Sequence, residues 1–306
     1  MPLSCCFIVL NWNGWNHTRL CLESLLPLLD NSRHHLIVCD NASSDDSYGQ
    51  IQQWLSLQNS QVQSQCVLLA TGANLGFAGG MNVGLVYALK HWKMDYFWLL
   101  NNDVQVHPQA LQQLLDCAQE KPEVGLWGCS VLEAENREML QCAGGCRYYS
   151  WLTVFRANQV GIKLQQAMQA KPQKLDYVYG AAMFFCAEAV KKTGLLNEEY
   201  FLFYEELDYS RRLQQNGYQL GWCKNAEVYH QGSASIGRPD SASRARIQTA
   251  NYYENLSTLK YSRNFHPYQF PIIFFNRFIL KALVLAFSGR WFLFSPLLRA
   301  YRDFLK

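Results

Sequence analysis

Four short segments of this sequence carry side chains with which chemistry could be done. Asp103 ends the apolar run Tyr96–Leu100 after Asn101 and Asn102. A carboxylate in that position meets a helix cap or a cation, and the distance to Pro108 favours the cation. His230 ends a second apolar stretch, Val228–His230, just before a segment rich in Gly, Ser, Ala and Arg. Taken alone, a histidine there is more often solvated or internally bonded than a metal ligand. Glu205-Glu206-Leu207-Asp208 opens a helical pattern after the aromatic run Tyr200–Tyr204. Acids in the first turn of a helix are favoured by about 0.3–1 kcal/mol each, and Asp208 has Arg211 and Arg212 at pairing distance. Those rules explain Asp208 well and two adjacent glutamates less well. Gly76-Phe77-Ala78-Gly79-Gly80 follows a strand pattern. Its backbone N–H groups can approach a phosphate, or its helix can simply pack closely on a sheet. The spacing is not G-x-G-x-x-G, and no acid stands where a dinucleotide site needs one, which disfavours an oxidoreductase. The sequence has neither a Walker A loop nor a G-x-S-x-G elbow.

These segments must be held by the elements around them. Apolar runs at Cys5–Leu10, Leu36–Cys39, Cys66–Ala70 and Tyr96–Leu100 read as strands, alternating with helical patterns around Leu20–Leu29 and Phe77–His91. Each strand ends in a polar cluster, such as Asn11-Trp12-Asn13-Gly14 after the first and Asp40-Asn41-Ala42-Ser43 after the second. Strands joined by helices predict a mostly parallel sheet, covered on both faces, with its ligands at the carboxyl edge. Beyond Pro108 the pattern is mixed. Val124–Leu132 and Tyr177–Cys186 read as strands and Glu205–Asn216 as a polar-faced helix closed by Gly217. Gln50–Gln65 reads as a solvated helix and loop, and Gln231–Arg246 as a mobile loop.

The 306 residues suffice for one large domain or two ordinary ones. With 49% hydrophobic and 17% charged residues, the chain is no disordered polymer. A net charge of +3 gives no overall pull toward nucleic acid. The charge is uneven, however. Residues 255–306 hold eight basic side chains against Asp303 alone, a charge of +7, which leaves −4 for the rest. The same tail is dense in Phe, Leu, Ile and Trp, so a boundary is expected near residues 235–255. Phe270–Phe287 is apolar over 18 residues but broken by Arg277 and Lys281. That predicts an internal packing helix or an amphipathic helix on a membrane face, not a spanning one. Met1 to Cys6 lacks the basic region and cleavage site of a signal peptide, so the eleven cysteines are expected reduced and buried in a cytosolic protein. Cys142 and Cys146 have no second pair with which to hold zinc.

Seven motifs, taken in order, resemble the inverting glycosyltransferases of family 2, above all the rhamnosyltransferase-like branch that builds bacterial surface polysaccharides. They are Leu10–Gly14, Cys39–Asp45, Asn74–Gly80, Leu100–Asp103, Tyr179–Ala182, Phe203–Asp208 and Tyr229–Ser233, and they span residues 4–236. The resemblance implies an α/β fold of GT-A type. That means a mostly parallel nucleotide-binding sheet flanked by helices, here with a helical, basic and aromatic C-terminal extension. It divides the chain into a catalytic domain at 1–236, with a nucleotide-sugar half (1–103) and an acceptor half (104–236), and a loop with helical extension at 237–306. It also implies a nucleoside-diphosphate sugar donor, Mg2+ or Mn2+, a glycan or lipid-linked acceptor and no nucleic-acid partner. The cysteines and N-terminus, with the basic and aromatic tail, predict work in the cytoplasm with peripheral contact at the inner face of the membrane.

By position, Asp40 resembles the acid that contacts the nucleoside, and Asn11, Asn41, Asn74, Gly76 and Asn102 fall in the donor-binding segments. Asp103 matches the last residue of the D-x-D metal motif, and His230 the late histidine that completes the metal site. Glu206 matches the second acid of the family's Glu-Asp pair, the usual catalytic base, with Glu205 and Asp208 as the neighbours to which that role would move. A helix dipole is expected to keep Glu206 ionised. The chain departs from the pattern at Asn101, which replaces the first Asp of D-x-D, and at Glu205-Glu206, which replaces Glu-Asp. One base and one cation suffice for a single inverting displacement, because a diphosphate leaves without a second acid to protonate it. Two rival readings are a sugar nucleotidyltransferase, whose basic Gly-rich loop is missing after the first strand, and a degenerate binding subunit, which Asn101 keeps open.

Overall fold

The computed structural model describes residues 3–29, 32–171, 173–232 and 243–306. Its first part alternates as the apolar runs require: β1 (Cys5–Asn11), α1 (Trp15–Leu25), β2 (His35–Asp40), α2 (Ser47–Ser56), α3 (Ser60–Gln65), β3 (Cys66–Ala70), α4 (Gly76–His91) and β4 (Tyr96–Asn101). β1 lies between β2 and β4 and is parallel to both. Successive β1 side chains enter different cores. Cys5, Phe7 and Val9 pack with Leu22 and Leu25 of α1, whereas Cys6 and Ile8 pack with Met81 and Leu85 of α4. Because both faces are buried, the strand reads as one continuous apolar run. Gly80 lets α4 close on the sheet, since a Cβ there would stand 2.4 Å from the Leu10 side chain.

The chain continues through β5 (Val104–Val106), α5 (Ala110–Glu120), β6 (Val124–Glu133), β7 (Leu140–Ala143), β8 (Gly145–Tyr149), β9 (Val154–Ala157), α6 (Leu164–Gln169), β10 (Tyr177–Val178), β11 (Ala182–Cys186), α7 (Ala187–Thr193), α8 (Glu205–Gln215) and β12 (Gln219–His230). The large sheet has the order β3-β2-β1-β4-β11-β6-β12-β5, with β7 paired to β6, while β10-β8-β9 form a small sheet of their own. β11 runs antiparallel to both β4 and β6, so only part of the large sheet is parallel. Three helices follow: α9 (Arg244–Phe265), α10 (Phe270–Phe287) and α11 (Phe294–Phe304). They share a core of Leu259, Leu285, Leu293, Leu297 and Tyr301. The cysteines are unbridged and most are buried.

Three sequence expectations need correction. Tyr177–Cys186 is not one strand: it breaks at Tyr179-Gly180-Ala181, and its two halves join different sheets. Gln50–Gln65 is not a helix and a loop but the end of α2 and all of α3, because the Asn59 side chain accepts from the Val62 N–H at 2.9 Å and starts a new helix. Gln231–Arg246 is not all loop, since Ser243 caps α9 by accepting from the Arg246 N–H. Residues 233–242, which include Ser233 of the seventh motif and the expected 236/237 boundary, lie outside the described residues.

Candidate active site

β4 carries Asn101 to the carboxyl edge of the sheet, and the turn at Asn102-Asp103 leads into β5. β5 pairs antiparallel with the end of β12, Val104 opposite His230. That register brings Asp103 beside His230: Nε2 lies 3.3 Å from Oδ1, and both side chains are buried. Gln141 on β7 orients the ring. Its Nε2 donates to the His230 carbonyl at 2.6 Å, which turns its Oε1 toward Nδ1 at 2.8 Å. With the proton on Nδ1, the neutral ring presents the Nε2 lone pair to Asp103, the tautomer a metal ligand needs.

Asn11 and Asp40 end the adjacent strands β1 and β2 and lie buried behind this edge. Asn11 Nδ2 donates to Asp40 Oδ2 at 2.7 Å, and Asp40 also accepts from the Ser43 N–H and hydroxyl at 2.9 and 2.6 Å. Thr18 ties in Asn102, accepting from its Nδ2 at 2.9 Å while donating to Asn11 Oδ1 at 2.6 Å. Asn41 reaches across to the next loop: its Nδ2 donates to Asn74 Oδ1 and to the Gly76 carbonyl, each at 3.0 Å. Gly76 has φ +72°, and a Cβ there would stand 2.1 Å from the Phe201 carbonyl oxygen, so glycine is required. These contacts frame a cavity of about 450 Å³. Of the expected donor-binding residues, Asn41, Asn74, Gly76 and Asn102 line it, and Asn11 and Asp40 brace it from behind. Its far wall is α9, through Ala245, Arg246, Thr249, Ala250 and Tyr253. The Tyr253 ring stacks on Phe201 at 4.3 Å. Sequence reasoning missed this wall, although 245, 249 and 253 recur at helical spacing.

The acid pair is placed by a strained turn. Phe203 and Tyr204 both have left-handed backbones, φ +65° and +74°, at a cost of about 1–3 kcal/mol each. Packing holds them there: Tyr204 is buried against Tyr148 and Phe155, and its hydroxyl accepts from Thr258 at 2.9 Å. α8 begins immediately afterwards, with Glu205 buried and Glu206 keeping part of its surface open. Oε2 of each glutamate has no hydrogen-bond partner. Burial, and then repulsion from Glu206, pushes the Glu205 carboxyl well above the usual carboxylate range. Burial raises Glu206 as well, while Glu205 beside it favours its charged form. Glu205 therefore holds the proton of the pair. Burial thus opposes the helix dipole that is expected to keep Glu206 ionised. Asp208 instead receives Arg212 Nε at 2.5 Å, and Arg212 also donates to the Thr193 and Leu195 carbonyls. Asp208 is thus held in a structural pairing.

The break between β10 and β11 joins the two chemical groups. The Tyr179 ring packs edge-on against His230 at 6.1 Å, and a Cβ on Gly180 would stand 3.7 Å from the Glu206 carboxyl. One dipeptide touches both the Asp103–His230 pair and the acid pair. Its role had no signal beyond its place in a motif.

Residues 6–192 match the family model Glycosyl transferase family 2. The chain belongs to the family 2 glycosyltransferases. It is similar to the low-salt glycan biosynthesis hexosyltransferase Agl10 of Haloferax volcanii, 23% identical over 222 residues, which cover 71% of this chain and 65% of that one. It is also 23% identical, over 240 residues, to the N-acetylglucosaminyl-diphospho-decaprenol L-rhamnosyltransferase of Mycobacterium tuberculosis, covering 71% and 73%. The match to the archaeal relative spans less than two thirds of that protein's length. Among solved structures, the mannosyltransferase PcManGT of Pyrobaculum calidifontis, in complex with GDP-Man and Mn2+, superposes with a TM-score of 0.58 at 11% identity, over 100% of this chain and 85% of that one. The fold of this glycosyltransferase is accordingly of GT-A type.

In this family 2 glycosyltransferase, Asp103 and His230 fit one divalent cation. Two ligands at right angles, about 2.1 Å from a common ion, stand about 3 Å apart, close to the 3.3 Å between Oδ1 and Nε2. Among the described residues no third His, Cys, Asp or Glu joins them. Substrate oxygens and water would complete the shell.

Proposed function

We propose that this glycosyltransferase moves a hexosyl group, a 6-deoxy sugar such as rhamnose, from a nucleoside-diphosphate donor to a hydroxyl of a glycan or lipid-linked acceptor in bacterial surface-polysaccharide synthesis. The observation that carries this reading is the contact of Tyr179-Gly180 with both His230 and Glu206. It supports reading the two groups as a cation site and a carboxylate base that flank one reacting bond. The donor occupies the 450 Å³ cavity, whose Leu10, Trp12, Phe77 and Leu202 walls suit a methyl-bearing sugar. Asp103 and His230 hold Mg2+ or Mn2+, which when bound offsets the charge that grows on the leaving diphosphate. Glu206 takes the proton of the acceptor hydroxyl, and protonated Glu205 holds its carboxylate in place. The acceptor oxygen bonds to the anomeric carbon as the bond to the phosphate oxygen breaks, and the configuration inverts.

In this reading residues 1–236 are the catalytic domain and 237–306 an extension that lends α9 to the donor cavity. The protein works in the cytoplasm, peripherally on the inner membrane face. A panel of nucleotide sugars tested with Mn2+ by thermal shift and by nucleoside-diphosphate release checks the proposal. One donor should raise the melting temperature, by about 2.7 kcal/mol of stability at a hundred times its Kd, and should be consumed. A donor that binds and is never consumed would instead identify a degenerate binding subunit.

A further inference from the structure

α10 is amphipathic in the inverted sense. Arg277 and Lys281 lie one helical turn apart and face inward, where both bond Glu254 of α9, at 3.1 and 2.9 Å. Arg277 also donates to Thr153 Oγ1 at 2.7 Å and to Asn255 Oδ1 at 3.2 Å. The two charges that interrupt the apolar run are therefore spent inside the protein. The opposite face shows Ile272, Phe275, Ile279, Leu283 and Phe287, with Phe275 64% and Phe287 89% exposed. These positions recur at three- and four-residue spacing, one continuous stripe on a helix roughly 27 Å long. α10 is long and apolar enough to cross a membrane, mean hydropathy 1.8. Its inner face, however, is bound along α9 and α11, so it can lie on a bilayer and not pass through one.

We propose that this stripe, together with the turn between β8 and β9, is a docking surface for an anionic lipid bilayer. The proposal rests on the reading of a transferase working at the membrane face and names what it binds there. The turn borders α10 through the Thr153 contact and through Ser150, whose hydroxyl donates to Gln269 at 3.2 Å. Tyr149, Trp151 and Leu152 of the same turn are exposed. Aromatic side chains mark both ends of the stripe, Tyr268 at 98% exposure and Trp291 at 64%, the placement that headgroup depth favours. Positive charge sits at both ends too. Arg290 is exposed beside Trp291, and at the other end a cavity of about 360 Å³ is lined by Ser150 and Arg211, with Lys174 4.0 Å from Asp176 in the same wall and His266 held toward its neutral form by burial. Arg211 has no ion pair among the described residues. An apolar stripe flanked by cations complements an anionic bilayer, whereas a second copy of the chain would meet its own positive charge.

Flotation of the lipid-free protein with vesicles of phosphatidylcholine containing about 30% phosphatidylglycerol tests this at low salt. The wild type should float, and should float less on pure phosphatidylcholine or in about 0.5 M salt. A Phe275→Ser/Ile279→Ser variant, and separately Trp151→Ser, should reduce the bound fraction about tenfold with unchanged melting temperature. Wild type that stays soluble, or variants that float as well as wild type, would overturn the proposal. So would a wild-type dimer that Phe275→Ser/Ile279→Ser converts to monomer, because the stripe would then cover another copy. Donor consumption in lipid-free solution is read separately, so a failure of the surface leaves the transferase assignment standing, and the reverse.

Discussion

Glu205 and Glu206 are alike in type and differ in surroundings, and that difference assigns their roles. Glu205 is raised by burial and by its neighbour, so the folded chain binds its proton where the unfolded chain, with a pKa of about 4.3, releases it. Stability therefore falls as pH rises from that value through the folded one. Glu205→Gln should melt higher than wild type at about pH 8 and equally at about pH 4, a comparison that thermal denaturation at both pH values provides. The acidic limb of transfer should move to higher pH in Glu205→Ala, because Glu206 then loses a neighbour that favours its charged form. At the cation pair, Asp103→Ala should abolish turnover and the Mg2+ or Mn2+ dependence of donor binding. Gln141→Leu should keep the fold and raise the Mn2+ concentration needed by about 10–100-fold, the usual effect of losing the group that orients a metal-binding histidine. Activity that survives exhaustive chelation would leave Asp103 a structural residue.

At the scale of elements, α9 is the part of the site most open to test. Ala250 lines the cavity proposed for the donor, from a helix of the tail. Ala250→Trp should obstruct that cavity, lowering donor affinity more than tenfold while the free protein melts as before, which calorimetry and thermal denaturation separate. The first four strands were readable because each is apolar on both faces and stops at a polar cluster. Asp103 and the Glu205–Glu206 pair stand out in the sequence as polar residues that interrupt apolar patterns, whereas only the family resemblance singles out His230. The break at Tyr179-Gly180-Ala181 was not, since its residues continue the apolar run and only pairing with two sheets divides them. α9 carried no motif, and its contact with Phe201 joins residues 52 positions apart in sequence. The inward turn of Arg277 and Lys281 depends on Glu254, a partner on another helix that sequence spacing does not reveal.

Across the whole molecule, the tail does two things at once. α9 walls the cavity proposed for the donor, and α10 turns its charges inward and its apolar stripe outward. Of the eight basic residues beyond residue 254, Arg277 and Lys281 are neutralised by Glu254, and the charge near the stripe comes from the others, Arg290 among them. A cation and a donor should also stabilise the protein more together than singly, because Asp103 and His230 would supply two ligands among the described residues and the donor would supply others. Thermal shift with Mn2+, with donor, and with both checks that synergy. The most direct measurement is nucleoside-diphosphate release from the stabilising donor, with saturating Mn2+ and acceptor, by wild type and Glu206→Gln. The expected result is a loss of about 10²–10⁴ in rate with donor affinity retained, as removal of a general base produces. A near wild-type rate in Glu206→Gln, with Glu205→Gln or Asp208→Asn inactive, would contradict it and move the base to that neighbour.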